Sequence, residues 1–300
     1  MLAVMDHLRQ RVASAHSGDA CRLFHGRGGT VEGLESLSVD WFSPVLVLTL
    51  FAPWPADTLC ELEVALRQRV AACEAILLQR RYVSPARFEL RSGTLPDPFV
   101  ARRGELQFAL NTAQQNIGYF LDIEPARVWL EQHAQGARVL NLFAYTCTFS
   151  VVAKAAGACS VLNMDLSSRS LQTGRQNHHL SQLDTEEVHF FANDILKSWS
   201  RLRRKGPYDV LVVDPPSFQK GSFVATKDYP KVLRRLASLA APDAKYLLCL
   251  NAPECTRDEF LEMIHASAPE LQFERWLPAH PDFPDVEPQR ALKLAVLSSS

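Results

Sequence analysis

From about residue 120 onward, short apolar runs of strand length alternate with segments patterned at helical spacing. The runs are RVLNLFAY, SVLNMDL, EVHFFAND, DVLVVDPP and KYLLCLN, and stretches such as SSRSLQTGRQNHHLSQL and KDYPKVLRRLASLA separate them. Strands and helices repeating in this order predict a parallel sheet with helices on both faces, because a parallel connection needs a crossover long enough to hold a helix. CTRDEFLEMIHASA predicts a further helix, with Thr256 and Glu259 at the spacing of a capping box. Two final runs, LQFERWL and ALKLAVL, flank a proline-rich loop and predict an antiparallel hairpin that closes the sheet.

The earlier part of the chain has a different rhythm. SLSVDWF, VLVLTLF, ARFELR and ELQFAL read as strands, with a helical stretch around 56–78 between them. Turn residues bound these runs, which predicts a small α+β domain over 1–112 ahead of a larger α/β domain over 113–300. HGRGGT at 25–30 has the look of a phosphate cradle, but no helical pattern follows it, so it reads as a hairpin turn. The first sixteen residues, MLAVMDHLRQRVASAH, carry Asp6 within an amphipathic helical pattern rather than a signal peptide.

Composition narrows the class. A net charge of −1 over 300 residues argues against a general polyanion coat. No stretch of about 18 apolar residues offers a membrane span, so no membrane partner is expected. The seven cysteines form no CxxC pair and no metal-like spacing with histidine. That predicts reduced thiols in a cytoplasmic protein and no metal site.

The polar residues of the second half sit where strands end. The first run reaches Asn141, the second ends in Asp165, the third in Asn193-Asp194, and the fourth in Asp214 followed by Pro215, Pro216, Ser217 and Phe218. Open α/β sheets bind ligands at this rim, and proline cannot continue a ladder, so DPPSF marks an abrupt strand end beside a site. An acidic residue at the end of the second strand suits ribose hydroxyls, which assigns Asp165 to that contact. Asp194, one strand further along, is placed to recognise an adenine amino group. A dinucleotide would need a GxGxxG loop after the first strand; here that loop is NLFAYTCTF, without a glycine. The pattern therefore favours a nucleoside ligand lacking phosphates, such as S-adenosylmethionine, over a nicotinamide cofactor.

QQNIGYFLDIEPARVWL, RVLNLFAYTCTFSVVAKAAGA, MDLSSRSLQTGRQN, ANDIL and VVDPPSF together resemble the class I methyltransferases of 23S ribosomal RNA, specifically the RlmI/RlmK type. The likeness spans about 114–300, and GGTVEGLESLSVDWF resembles the small domain that precedes the catalytic domain there. It implies a Rossmann-like seven-stranded sheet whose last strand is antiparallel. It also implies that Asn141, Phe143 and Tyr145, with Thr146 beside them, line the methionine part of S-adenosylmethionine. Asp165 would hold the ribose, Asp194 the adenine, and Asp214 the edge of the transfer site. Asp122 and Arg127 match a segment that packs over the cofactor, where Arg127 would pair with its carboxylate.

Three departures shape the expectation. Cys147 stands where the family commonly has glycine, so a side chain is expected to crowd the cofactor or restrain the backbone. Asn251 stands where the 5-methylcytosine enzymes carry their nucleophilic cysteine, with Cys249 before it and Cys255 after it. The separate RNA-binding module of the family is not found at the N-terminus. Transfer to a base nitrogen needs no covalent adduct, so a guanine nitrogen is the expected acceptor. Asp214 would accept from a base N–H, the prolines would fix the backbone, and Phe218 would stack on the base. Ten Lys/Arg against three Asp between Lys197 and Arg235 are expected to meet RNA phosphates. NHH at 177–179 is expected to carry no role. The reading is thus a methyltransferase acting on 23S ribosomal RNA or a precursor particle. Its alternatives are an enzyme of the same fold acting on a small molecule or protein, and a non-catalytic RNA-binding assembly factor with a degenerate cofactor site.

Overall fold

The computed structural model describes residues 18–219 and 223–299, so the amphipathic stretch 1–16 lies outside the described residues. The chain divides into two compact units. The described residues up to Leu121 group with His280–Val286, and Asp122–Ala279 group with Glu287 onward. The sequence reading places the division at 112, whereas residues 113–121 fall in the first unit. Two contacts explain the difference: Asn111 N donates to Ile117 O, and the Tyr119 ring packs 4.9 Å from that of Phe108.

The first unit is a five-stranded sheet in the order β1 (Cys21–His25), β2 (Leu37–Phe42), β3 (Val45–Leu50), β4 (Ala75–Arg80), β5 (Phe88–Ser92). Only β3 and β4 run parallel, and α1 (Ala56–Arg69) supplies their crossover. Leu59, Leu62 and Leu66 of α1 lie on one face of the helix and bury against Leu46, Leu48 and Ile76 of the sheet. The helix expected to run to residue 78 stops at Arg69, and Ala75–Arg80 is a strand instead. An unbroken apolar run such as AILL has no period of its own, and burial at the centre of the sheet decides it. A small hairpin, β6 (Val100–Arg103) and β7 (Leu106–Ala109), completes this unit. HGRGGT is not the expected hairpin turn: it ends β1 and forms a 3-10 turn, Gly26–Gly28, at the start of the longer connection 26–36 to β2, and its glycines serve close packing. A Cβ on Gly26 would stand 1.8 Å from Leu34 O, and one on Gly28 would stand 1.8 Å from Pro284 O.

The second unit opens with α2 (Glu124–His133) and holds a seven-stranded sheet. Its elements are β8 (Arg138–Leu142), α3 (Thr148–Ala155), β9 (Ser160–Asp165), α4 (Ser168–Leu180), β10 (Val188–Ala192), α5 (Trp199–Lys205) and β11 (Tyr208–Val213). After a two-residue-strand hairpin, β12 (Phe218–Gln219) and β13 (Phe223–Val224), come α6 (Ala225–Leu236), β14 (Ala240–Leu250), α7 (Arg257–Ser267), β15 (Leu271–Trp276) and β16 (Lys293–Ser299). The spatial order is β10-β9-β8-β11-β14-β16-β15, with β16 antiparallel to both its neighbours. The last two strands do form the expected antiparallel pair, but β16 inserts between β14 and β15 rather than adding at the edge.

Alternation along each strand supplies two cores. Val139, Val161 and Val212 face Trp129, Leu130 and Phe149 from α2 and α3. Leu140, Leu211 and Leu248 face Tyr229, Val232, Leu236 and Phe260 from α6 and α7. No helix among the described residues is long and apolar enough to cross a membrane. Helix α7 starts with the predicted capping box: Glu259 N donates to Thr256 Oγ1 at 3.2 Å, and Thr256 N donates to Glu259 Oε2 at 2.7 Å. Thr256→Ala should cost about 1 kcal/mol, read as a lower urea midpoint at unchanged m-value.

Candidate functional site

The carboxyl ends of β8, β9, β10 and β11 form one rim, and the segment leaving β8 has an unusual backbone. Phe143, Tyr145 and Cys147 have φ of 58°, 45° and 59°. Left-handed backbone costs a residue with a side chain roughly 1–2 kcal/mol, and here three alternate residues adopt it. Hydrogen bonds from the neighbouring elements hold the segment in place. Ala144 N donates to Met164 O at 3.1 Å, and Tyr145 N donates to Asp165 Oδ2 at 2.8 Å. Asp165 Oδ1 meanwhile accepts from Ser167 N at 2.8 Å, so one carboxylate ties the end of β8 to the start of α4. The N-cap of α4 is Ser167, not Asp165. Burial pushes the Asp165 carboxyl up, while the amides of Ser167, Tyr145 and Leu166 pull it down.

Thr146 is buried, and its carbonyl accepts from Asn177 Nδ2 at 2.8 Å. Asn177 and His178 were expected to carry no role, yet both are fully buried and brace this rim. From His178 a directed chain of hydrogen bonds runs back to β8. Its Nδ1 lies 2.8 Å from Gly174 O, which can only accept, so Nδ1 carries the proton. Burial holds the ring's pKa down and the ring neutral, so Nε2 accepts from Ser150 Oγ at 3.1 Å. Ser150 Oγ accepts from Asn163 Nδ2 at 2.8 Å, and Asn163 Oδ1 accepts from Asn141 Nδ2 at 2.9 Å. The chain fixes the Asn141 amide and leaves its Oδ1 as a buried acceptor with no donor among the described residues. Only the lateral positions of β8 and β9 could have revealed this: Asn141 and Asn163 are register partners.

The Cys147 side chain does not stand alone in a glycine's place. It is buried with Ala144 and Leu171 against Phe190, directed at Gly174 of α4. A Cβ on Gly174 would lie 2.4 Å from Cys147 Sγ. The space for the thiol is thus provided by a glycine in the neighbouring helix, and the expected crowding is taken up there. Burial raises the thiol well above its ordinary pKa, so it behaves as a small neutral hydrophobe.

Further along the rim, Asp194 caps the turn Ile195–Lys197, accepting from Leu196 N at 2.9 Å. Asp214 follows β11, and its N–H reaches Leu142 O at 3.4 Å. Part of its surface still meets solvent, but the protein packed around it pushes its carboxyl up to about 7. Burial is the main cause, repulsion from Asp122 adds to it, and Arg127 opposes both. Arg127 is fully buried on α2, not a surface residue, and donates to Glu124 Oε2 at 3.1 Å. The structure therefore brings Asp122, Arg127 and Asp214 into one electrostatic group. Pro215 is buried, Pro216 is half-buried, and Phe218 is 67% exposed at the start of the β12–β13 hairpin. Phe223 of that hairpin packs edge-on against Phe143, 4.8 Å between ring centroids.

Asn251 is exposed just beyond β14, while Cys249 is buried in the strand with its thiol held far above the ordinary range. Lys293 fastens the loop after Asn251: its buried ammonium donates to Ala252 O, Ala291 O and Arg290 O at 3.1, 2.9 and 3.2 Å. The basic run expected to border the site is divided. Arg201, at the start of α5, reaches Asn193 Oδ1 at 2.7 Å and lies over the Phe191 ring at the rim. Arg203, Arg204 and Lys205 end α5 and lead into β11 at the opposite edge of the sheet. Helix geometry causes the split, since seven residues climb about 10 Å.

Comparison with known proteins supplies the context. The S-adenosylmethionine-dependent methyltransferase family matches residues 21–298. Ribosomal RNA large subunit methyltransferase I of Erwinia tasmaniensis is 31% identical over 228 residues, covering 72% of this chain and 56% of the relative. That of Shewanella denitrificans is 32% identical over 201 residues, 62% of this chain and 49% of the relative. The chain thus spans about half the length of these relatives. Among solved structures, SMU.776 complexed with SAH superposes with a TM-score of 0.87 at 23% identity, over 98% of this chain and 81% of that one. A SAM-dependent methyltransferase of Agrobacterium tumefaciens gives 0.64 at 20% identity, over 88% and 86%. Both have this fold. The thiol–glycine contact predicts a coupled pair: Gly174→Ala alone should lower the melting temperature by several degrees, and Cys147→Gly in the same chain should recover most of the loss. Additive losses in a thermal double-mutant cycle would contradict the contact.

Proposed function

The chain belongs to the S-adenosylmethionine-dependent methyltransferase family, and we propose that it transfers the methyl group to a guanine nitrogen of large-subunit ribosomal RNA. The observation that carries this reading is that the segment leaving β11 holds Asp214 and exposed Phe218 on a rim where Asn251, not a thiol, follows β14. Carbon methylation of cytosine requires a cysteine nucleophile there, whereas a ring nitrogen needs only orientation. The kinship with ribosomal RNA large subunit methyltransferases supports RNA as the acceptor. The seven unpaired cysteines fit a reducing compartment, which supports the cytoplasm as its location.

The residues present suit the cofactor. Asn141 Oδ1 is a buried acceptor that the described residues leave open, and Asp165 keeps acceptor capacity beyond its backbone donors. When bound, S-adenosylmethionine supplies a methyl group activated by its sulfonium. On the protein side, Asp165 would accept from the ribose hydroxyls and Asp194 from the adenine amino group. Asn141, Phe143, Tyr145 and Thr146 would flank the methionine part, and Arg127 would face its carboxylate. Asp214, as a carboxylate, would accept from a base N–H and hold the target. Pro215 and Pro216 would stiffen that edge, and Phe218 would stack on the base.

Isothermal titration with S-adenosylmethionine and S-adenosylhomocysteine should show micromolar binding that Asp165→Ala weakens at least tenfold; undiminished affinity would remove the ribose assignment. Incubation of large-subunit ribosomal RNA with methyl-labelled cofactor should place the label in a methylguanine, and label in 5-methylcytosine would refute the nitrogen target. Since Asp214 acts as the carboxylate, the rate should rise as pH increases through about 7. Removing the like charge with Asp122→Asn should lower that pKa and move the rise to lower pH.

A further inference from the structure

The motif HGRGGT plays no part in the site on the second unit, yet in the first unit it sets Arg27 at one end of the sheet. Register pairs His25 with Ser38, Ser38 with Thr49, and Thr49 with Gln79, so one row of residues crosses β1 to β4. Arg27, Phe51 and Arg81 all follow just beyond that row. The Arg27 guanidinium lies over the Phe51 ring at 4.2 Å, a stacked position that fixes it while leaving the residue exposed. Arg81 donates to Gln115 O at 3.0 Å and to Asn116 Oδ1 at 3.2 Å. The loop it opens, RRYVSPAR over 80–87, adds exposed Arg87 and Tyr82, the latter 38% exposed.

Charge balance separates this cluster from its surroundings. Arg22 is matched by Asp40 in a two-pronged ion pair, Arg80 by Glu89, and Arg91 by Glu63 and Glu89. Neither Arg27 nor Arg81 has a described carboxylate as ion-pair partner. The charges they feel are other guanidinium groups: Arg22 lowers the Arg27 pKa and Arg27 lowers that of Arg81, burial being the larger cause in both. His25 adds no compensation, since burial and both neighbouring arginines drive its pKa down to about 3 and keep it neutral. Like charges held together without counter-charge create a site that an anion relieves.

We propose that Arg27 and Arg81, with Phe51 beneath and Tyr82 beside them, form a phosphate-backbone contact through which the first unit grips the RNA substrate. The inference rests on the RNA reading above but concerns a surface apart from the transfer rim. Guanidinium forks suit phosphodiester oxygens, and an exposed tyrosine beside them offers a ring for an unpaired base.

The test measures affinity for an in vitro transcribed large-subunit ribosomal RNA fragment at several salt concentrations. Arg27 makes no side-chain hydrogen bond among the described residues, so Arg27→Gln removes the charge and its stacking on Phe51 without breaking a described hydrogen bond. It should weaken RNA binding several-fold and reduce the slope of log K against log salt by about 0.7–0.9. Arg81→Gln should do likewise, whereas Arg81→Lys, which keeps the charge, should retain most of the slope. Titration with S-adenosylhomocysteine should be unchanged in all three variants, as none touches the cofactor rim. If the wild type methylates RNA while Arg27→Gln keeps full affinity and slope, this surface is wrong and the proposed function stands. If the wild type binds the cofactor but neither binds nor methylates RNA, the RNA reading fails and this inference falls with it.

Discussion

The second unit is organised around the carboxylate of Asp165. Three residues bearing side chains take left-handed backbone within five positions, and their combined strain of a few kcal/mol would relax if the segment were free. Asp165 prevents this by accepting from Tyr145 N on one oxygen and from Ser167 N on the other. Asn177 adds a second anchor at Thr146 O. The proposed function assigns the ribose to the same carboxylate, and under that proposal support of the rim and recognition of the ligand fall to one side chain. That coupling makes the shape of the cofactor loop depend on β9 and α4 as much as on its own sequence.

Two carboxylates on this rim illustrate how environment divides labour. Asp165 and Asp214 both lose water, but backbone amides counter the desolvation at Asp165, while at Asp214 a second carboxylate adds to it. Asp165 is therefore suited to a constant acceptor role. Asp214, with its carboxyl near 7 and Arg127 opposing, is poised to respond to a charged or proton-bearing neighbour. Phe218, four residues after it in the chain, is exposed.

The strand–helix alternation and the strand ends that form the rim were legible because the relevant signals are local, whereas the spatial order of the strands was not. Short apolar runs that reach Asn141, Asp165, Asp194 and Asp214 mark where each strand stops, and the capping box at Thr256 is a four-residue pattern. What escaped depends on distance across the fold. The glycine that accommodates Cys147 is Gly174, on a helix whose approach no local pattern announces. The roles of Asn177 and His178 are not legible locally because their partners, Thr146 and Ser150, lie 31 and 28 residues earlier in the chain. The strand at Ala75–Arg80 was taken into a helix because apolar residues without alternation fit either element. The basic residues from Lys197 to Arg235 lie in one stretch of the chain but fall on different elements, and within α5 alone Arg201 and Lys205 lie toward opposite ends of the helix.

The placement of His280–Val286 with the first unit bears on the order in which the molecule can be completed. Phe283 packs under the Arg22 guanidinium at 4.4 Å and beside the His25 ring at 4.9 Å, and Val286 N donates to Gly28 O. Those partners lie near the beginning of the described chain, more than 250 positions earlier. During synthesis the first unit therefore emerges from the ribosome long before the segment that finishes it. The second unit is in the same position, because β16 must enter between β14 and β15 before its sheet is whole. Neither unit can be completed before its last segment has been made, His280–Val286 for the first and β16 for the second.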